Sequence, residues 1–302
     1  MSGSEPRAVA ITCRDGVTLR GHVWAAPSPT VHGAVVVMPA TGVAARYYHR
    51  YARFLAGHGF TVLTFDYRGI GLSRPVSLRG CRYRWRDWGE RDADAALRFM
   101  TGEAGGPLMV VGHSIGGFLP GLAESSAAIT RMLTMGAQYA WWRDYAPSQR
   151  AGLFAKWHLA MPVLTALFGY FPGKRLGWLE DLPAGVAHEW SFRGPRFETS
   201  HPRAEREAVR TRMAGVRADI LAVAMADDPL GTVPALARTL AYYTGARRTL
   251  VKLAPADYGR EAIGHFSLFH DSHREGFWAD TLVWLRDGRN PWPGHVVDLA
   301  GR

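Results

Sequence analysis

Residues 108–117 read Leu108-Met109-Val110-Val111-Gly112-His113-Ser114-Ile115-Gly116-Gly117. Four apolar residues lead into a Gly-x-Ser-x-Gly turn, the pattern that presents a serine hydroxyl at the top of a sheet. A turn this sharp strains the serine backbone and needs residues without side chains on both sides of it, and Gly112 and Gly116 stand there. Because such a short pattern also arises by chance, the rest of the chain has to support this interpretation.

The composition predicts a folded globular protein. The chain has 302 residues, of which 47% are hydrophobic and 21% charged, enough for a large α/β domain with an insertion. Its longest apolar runs, 34–40 and 161–171, are short or interrupted by Pro and Gly, so we expect no membrane-spanning helix. The first residues lack a basic segment followed by an apolar one, which predicts a cytoplasmic location.

The charge balance is basic without pointing to nucleic acid. Lys and Arg number 36 against 26 Asp and Glu, a net charge of +10, but they are scattered along the chain and accompany no nucleic-acid-binding motif. We interpret them as a solvated surface with, at most, weak attraction to anionic substrates or membrane surfaces. Cys13 and Cys81 are too few for a disulfide framework or a thiolate metal site.

Short apolar segments alternate with helical patterns along most of the chain. Strands are predicted at 8–12, 17–25, 33–38, 59–65, 108–111, 129–135, 218–225 and 247–253. Helices are predicted at 44–58, 87–100, 233–243 and 272–286, with another starting at Ser114. The Asp15-Gly16 turn makes the first two strands antiparallel, and the alternation that follows predicts right-handed crossovers and a mostly parallel, doubly wound α/β sheet.

The alternation stops between residues 138 and 216. This segment carries five tryptophans together with several Phe, Tyr, Pro and Gly, which predicts helices and loops lying over the sheet. We therefore expect an inserted, mainly helical cap at 138–216 and an α/β core formed by 1–137 and 217–302. Most of the aromatic side chains are expected to pack the cap against the core rather than to contact substrate.

Acidic and basic partners for Ser114 follow later strands. A serine hydroxyl needs a base and a carboxylate that orients the base. Asp227 and Asp228 follow the 218–225 strand, and His265 follows the last strand, which gives the chain order Ser, Asp, His. Asp228 is favoured because it starts the turn through Pro229, and Asp227 remains the alternative.

Other histidines are less suited to the role of base. His113 adjoins the serine, but its side chain is expected to point away from the hydroxyl and to support the site. His270 and His273 could suggest a metal pair, but a spacing of three with one acid favours surface or capping positions. No metal and no cofactor are predicted.

The oxyanion formed on attack requires two backbone N–H donors. One is expected from Ile115, at the positive end of the predicted helix. The other is expected from the loop after the 33–38 strand, where Thr41 is the first candidate and Ala40 the second.

The chain resembles the α/β-hydrolase superfamily, specifically bacterial predicted hydrolases allied to the serine aminopeptidases and lysophospholipase-like hydrolases. The matching stretches are 66–73 (DYRGIGLS), 112–117 (GHSIGG), 168–177 (FGYFPGKRLG), 180–185 (EDLPAG), 227–228 (DD) and 263–266 (IGHF). The resemblance implies an α/β-hydrolase fold, Ser114 as nucleophile, His265 as base and one of the paired aspartates as acid. Pro39-Ala40 stands where His-Gly is usual in the superfamily, so the alanine Cβ could narrow access for the acyl group.

These residues support a serine hydrolase that cleaves a carboxylic ester, ahead of a thioester or an amide. Its substrate is expected to be a small acyl compound with an apolar or aromatic portion, and a homodimer is compatible with the sequence. Two alternatives stay open: an acyltransferase or cyclase of a biosynthetic pathway that uses the same triad, and a non-catalytic ligand-binding protein on the same scaffold.

Overall fold

The computed structural model describes residues 5–27 and 32–299. The strands are β1 Arg7–Thr12, β2 Thr18–Trp24, β3 Gly33–Met38, β4 Phe60–Phe65, β5 Leu108–His113, β6 Ile129–Met135, β7 Tyr170–Phe171, β8 Leu182–Pro183, β9 Asp219–Met225 and β10 Arg247–Leu253. Eight of them form one sheet in the order β1-β2-β4-β3-β5-β6-β9-β10. Strand β2 is antiparallel to both of its neighbours, and the remaining pairs are parallel. All eight predicted strands and the mostly parallel α/β sheet are confirmed.

The central strands are buried on both faces. Every residue of β3 and of β5 is buried, and alternate side chains enter different cores. Val36 and Val110 belong to one core, whereas Val35 and Val111 belong to the other. Continuous apolar runs of this kind are expected of parallel strands covered by helices on both sides.

Helices cover both faces of the sheet. They are α1 His49–Gly57, α2 85–103, α3 Arg150–Phe168, α4 Ala184–Ser191, α5 Arg206–Ala214, α6 Val233–Leu240 and α7 274–287. Side chains of α1 and α7 enter one core, and side chains of α2, α5 and α6 enter the other. This arrangement is the predicted doubly wound architecture.

The predicted helix starting at Ser114 is absent from the described chain. Ser114–Gly117, Leu119–Leu122 and Glu124–Ala128 are separate 3-10 turns. Pro120 cannot donate a backbone hydrogen bond, and the neighbouring glycines disfavour a helix. The oxyanion donor predicted at Ile115 would therefore be a single N–H group, without the dipole of a long helix behind it.

The 138–216 segment connects β6 to β9, which are neighbours in the sheet. It contains α3, α4, α5 and the antiparallel β7–β8 pair. Val209 and Met213 of α5 enter the core under the sheet, so this helix serves as the crossover back to β9. Leu179 and Leu182 instead approach Gly42 in the loop after β3, which places that part of the segment over the carboxyl edge of the sheet. The cap boundaries of 138–216 stay a prediction.

Helix α3, which was not predicted, bears on the expectation that no helix could span a membrane. It spans 19 residues with a mean hydropathy of 1.3, so by length and composition it could cross a membrane. Residues Ala155–Ala160 form a π-helical segment just before Pro162, and such a widened turn accommodates the missing proline N–H. The apolar run therefore continues through the proline that was expected to interrupt it.

Candidate active site

Ser114 lies directly after β5 in a strained backbone conformation. Its φ of 55° is in the left-handed region that L-residues rarely adopt, and the residue is 6% exposed. A Cβ at Gly116 would collide with the carbonyl groups of Met38 and Pro39. The glycine therefore allows the serine turn to contact the loop that follows β3, where an oxyanion donor was predicted.

Asp228 and His265 form a buried pair beside this turn. The Asp228 Oδ2 atom lies 2.7 Å from His265 Nδ1, and the two side chains are 2% and 4% exposed. Asp228 Oδ1 accepts hydrogen bonds from the backbone N–H groups of Leu230 and Gly231 at 2.8 Å each. Burial alone would raise the pKa of Asp228, but His265 and these donors outweigh it and hold the pKa below its usual range.

Asp227 has a different position. Its Oδ2 atom accepts the backbone N–H groups of Ile263 and Gly264 at 2.7 and 2.9 Å. The carboxylate thus holds the loop that carries His265 while its neighbour contacts the imidazole. Of the two predicted aspartates, Asp228 is the one that the structure brings to His265.

Two glycines that were not predicted as site residues make room for the pair. A Cβ at Gly136 would lie 2.9 Å from Asp228 Oδ2 and 3.0 Å from His265 Nδ1. A Cβ at Gly231 would collide with Asp228 Oδ2 and with Gly136 Cα. Gly136 follows β6 directly, so its place at a strand end was a signal that could have been used.

The Ser114 hydroxyl contacts a residue outside the predicted triad. Gln138 Nε2 donates to Ser114 Oγ at 3.3 Å. The other end of this amide is fixed, because Gln138 Oε1 accepts the backbone N–H of Ala140. Ala140 is itself left-handed, with a φ of 61°. Gln138 is 5% exposed, so its amide is a buried polar group aimed at the hydroxyl.

His113 connects the two loops on either side of the serine. Tyr48 Oη accepts the Ala40 N–H at 2.9 Å and lies 2.8 Å from His113 Nδ1. His113 Nε2 lies 2.8 Å from the His265 backbone oxygen. Since a carbonyl only accepts, Nε2 carries the proton, and Nδ1 accepts the Tyr48 hydroxyl proton.

This chain of hydrogen bonds requires a neutral imidazole. Burial, assisted by the nearby His265 ring, lowers the pKa of His113 to about 3. Burial also raises the pKa of Tyr48 well above its usual value. His113 thus supports the site from the side away from the hydroxyl, in the manner expected from its place on the turn.

Tyr48 distinguishes the two candidate donors in the loop after β3. The Ala40 N–H already donates to the Tyr48 hydroxyl, so it is the weaker oxyanion candidate. Thr41 is buried, with 5% exposure, and Ile115 is 1% exposed. Their N–H groups remain the predicted pair.

A groove of about 360 Å³ lies next to these loops. Its apolar lining comes from the chain after β3, the residue after His265 and the 138–216 segment: Gly42, Val43, Ala44, Tyr47, Trp178, Leu179 and Phe266. Arg46 and Glu180 complete the lining and pair with each other at 2.7 Å. The groove therefore offers an apolar surface beside the His265 loop.

The two histidines considered as a metal pair have different surroundings. His270 is exposed, as expected, and its Nε2 lies 3.0 Å from Tyr47 Oη, whereas His273 is buried rather than at the surface. In residues 5–27 and 32–299, no group of three or more His, Cys, Asp or Glu side chains is arranged to hold a metal ion.

Comparison with known families gives a match to about half of the chain. The sequence profile described as "Serine aminopeptidase, S33" matches residues 29–182, just over half of the 302 residues. The matched region includes Ser114, the loop after β3 and much of the 138–216 segment. Among curated proteins, none matches the sequence significantly.

Solved structures resemble the whole fold at low identity. A soluble variant of monoglyceride lipase from Saccharomyces cerevisiae, in complex with a substrate analogue, matches with a TM-score of 0.66 and 16% identity over 95% of this chain and 96% of that one. The α/β hydrolase GrgF from a Penicillium species gives 0.61 and 17% over 94% and 99%. A Pyrococcus furiosus esterase gives 0.59 and 16% over 94% and 91%. These likenesses establish the fold.

Proposed function

Since the chain belongs to the serine aminopeptidase S33 family of α/β hydrolases, we propose that it hydrolyses a carboxylic ester through an acyl-enzyme on Ser114. The observation that carries the proposal is the buried Asp228–His265 pair at 2.7 Å beside a left-handed serine. A carboxylate on Nδ1 holds the imidazole with Nε2 free to act as base.

In the proposed reaction, Ser114 Oγ attacks the ester carbonyl and its proton passes to His265 Nε2. The Ile115 and Thr41 N–H groups stabilise the oxyanion. The bond to the alcohol then breaks, and His265 returns the proton to the leaving oxygen. Water, activated by the same imidazole, releases the acid and restores Ser114.

Gln138 enters this scheme through the nucleophile oxygen. In the structure its amide donates to Ser114 Oγ. The oxygen therefore accepts this hydrogen bond, and the hydroxyl proton is free to turn toward His265 Nε2 when Ser114 attacks. Catalytic hydrogen bonds often align only when substrate is bound. The Gln138 N–H group would also stabilise negative charge on Oγ when the acyl-enzyme is hydrolysed and Ser114 becomes the leaving group.

The groove supports an apolar substrate. Trp178 and Phe266 line it from two different loops, and its charged lining residues are paired, since Glu180 contacts both Arg46 and Lys174 at 2.7 Å. An acyl or alcohol portion with an aliphatic or aromatic surface would replace water there at a gain of about 25 cal/mol per Å² of apolar area buried. Uncharged esters are accordingly the first substrates to test.

The test compares wild type with Ser114→Ala on p-nitrophenyl esters of increasing acyl length, together with labelling by a fluorophosphonate and mass spectrometry. We expect turnover and a labelled Ser114 peptide in wild type and neither in the variant. Wild type that turns over no ester and takes no label would overturn the proposal. Product analysis with added alcohols separates hydrolysis from acyl transfer, because transfer yields a new ester in place of the free acid.

A further inference from the structure

Helix α3 has an outer face made only of apolar residues. Its exposed residues are Ala151, Gly152, Ala155, Leu159, Val163, Ala166 and Leu167. The three largest are 55%, 59% and 75% exposed and follow one another at intervals of four, which aligns them on one side of the helix. An exposed apolar stripe of this kind is typical of a surface that binds a partner.

The opposite face holds the helix on the protein. Trp157, Met161 and Thr165 are buried, and His158 Nδ1 lies 2.7 Å from the Ser191 backbone oxygen. Crossing a membrane would remove these side chains from their packing. The helix is therefore suited to lie in the plane of an interface with its outer face down.

The surroundings of this face are basic. Residues 145–179 contain Arg150, Lys156, Lys174 and Arg175 and not one acidic residue. Lys174 is paired with Glu180, the next residue along the chain after this range, at 2.7 Å. The Arg175 guanidinium lies 5.4 Å from the centre of the Phe168 ring at the end of the helix.

A second basic segment meets the helix at the same end. Residues 74–86 contain five arginines and no acidic residue. Arg74 and Arg86 are paired with Asp181 and Glu205, whereas Arg79 lies next to the helix. The Arg79 side chain approaches Gly169, where a Cβ would lie 3.4 Å from its Cγ atom. Val76, in the same segment, is fully exposed.

We propose that the outer face of α3 binds the surface of a membrane that contains anionic phospholipid. Apolar side chains would enter the acyl boundary, and the flanking Arg and Lys would contact the phosphates. A second copy of the chain fits less well, because a two-fold contact would bring the same basic flanks together. This inference goes beyond the proposed chemistry and does not require Ser114.

The helix also contacts a residue that lines the groove. Lys156 lies 4.2 Å above the Trp178 ring, and Trp178 lines the groove. A membrane bound at α3 would therefore lie near the groove, and an apolar ester could reach it from the bilayer.

The experiment measures sedimentation of the full chain with phosphatidylcholine vesicles, with and without phosphatidylglycerol. We expect binding only to the anionic vesicles, weakened by added salt. The combined change Leu159→Ser, Val163→Ser and Leu167→Ser should weaken partitioning at least about tenfold, and Arg175→Gln about fivefold. Val296→Ser, at a residue of similar exposure outside the helix (52%), and Ser114→Ala should bind like wild type.

Each contrary result is decisive. Wild type that binds neither vesicle, or a triple variant that binds as well as wild type, overturns the proposal. Dimerisation of wild type in the ultracentrifuge that the triple variant abolishes, without vesicle binding, would assign the face to a second copy instead. Circular dichroism and thermal unfolding of each variant verify that it is folded.

Discussion

The proposed base and the proposed nucleophile are held in different ways. His265 is fixed from three sides: Asp228 bonds its ring, His113 bonds its carbonyl, and Asp227 bonds the two N–H groups that precede it. Ser114 has a left-handed backbone, and within residues 5–27 and 32–299 its hydroxyl has one side-chain hydrogen bond, of 3.3 Å, from Gln138. The base is therefore positioned before substrate arrives, whereas the hydroxyl, which accepts a hydrogen bond from Gln138, still has to align its own proton with the imidazole.

The two aspartates offer the largest test of this difference. Asp228→Asn removes the charge that orients His265 and should lower kcat by about 10³–10⁴-fold. Asp227→Asn keeps an oxygen for the loop N–H groups and should lower kcat by about tenfold or less. Steady-state kinetics on the best ester measures both. Equal losses would mean that the loop contact matters as much as the ring contact.

Crowding the Asp228–His265 pair should have the next largest effect. Gly136→Ala places a methyl group about 3 Å from both side chains and should reduce kcat/KM by about 10²-fold, since small displacements of a catalytic group are costly. Gly259→Ala is a matched control, because Gly259 has a similar φ of 61° but open space around its Cβ position. This control variant should be less stable than wild type but equally active. Full activity in Gly136→Ala would contradict the view that this glycine makes room for the Asp228–His265 pair.

The buried neutral His113 predicts a pH dependence of folding. Its pKa falls from 6.5 to about 3 in the folded protein, so the unfolded chain takes up a proton first as the pH is lowered. The stability that wild type has relative to His113→Gln should therefore be full above pH 6.5 and decline as the pH falls toward 3. Between pH 7 and pH 5 the loss is about 2 kcal/mol. Urea denaturation at the two pH values measures it, and a constant difference would argue against a neutral imidazole.

The smallest effect on activity is expected at Gln138, the donor to the Ser114 hydroxyl. Gln138→Leu removes the donor to Ser114 Oγ while keeping the volume and should lower kcat about tenfold, with KM little changed. The loss should lie in hydrolysis of the acyl-enzyme, so the burst of p-nitrophenol should persist while the steady rate falls. Gln149→Leu, at an exposed position, is the control. An unchanged steady rate would restrict Gln138 to a structural role.

The sheet could be predicted from the sequence because its strands are short apolar runs between turn residues. β3 and β5 are buried on both faces, so their continuous hydrophobicity is itself the signal. The prediction of a helix after Ser114 was wrong. The glycines that the serine turn needs, together with Pro120, disfavour a helix at this place. The apolar run at 161–171 was expected to be interrupted by proline, but the π-helical segment before Pro162 accommodates it within helix α3.

The candidate site was predictable only where strand ends bring residues together. Ser114, His265 and the aspartate pair follow strands, so parallel topology places them at one edge. Adjacent residues in a turn point in different directions, and only the folded chain shows that Asp228 meets the ring. Gln138 and Tyr48 were missed because their roles depend on contacts across 24 and 65 positions of sequence, which no local pattern records.

The left-handed backbone at Ser114 also bears on how such an enzyme evolves. Glycine adopts this φ of 55° without strain, so a Ser114→Gly chain is expected to be inactive and yet at least as stable as the active one. Drift toward stability would then favour loss of the nucleophile. Retention of a serine at this φ angle in a lineage would therefore indicate selection for catalysis, because the backbone conformation itself favours glycine.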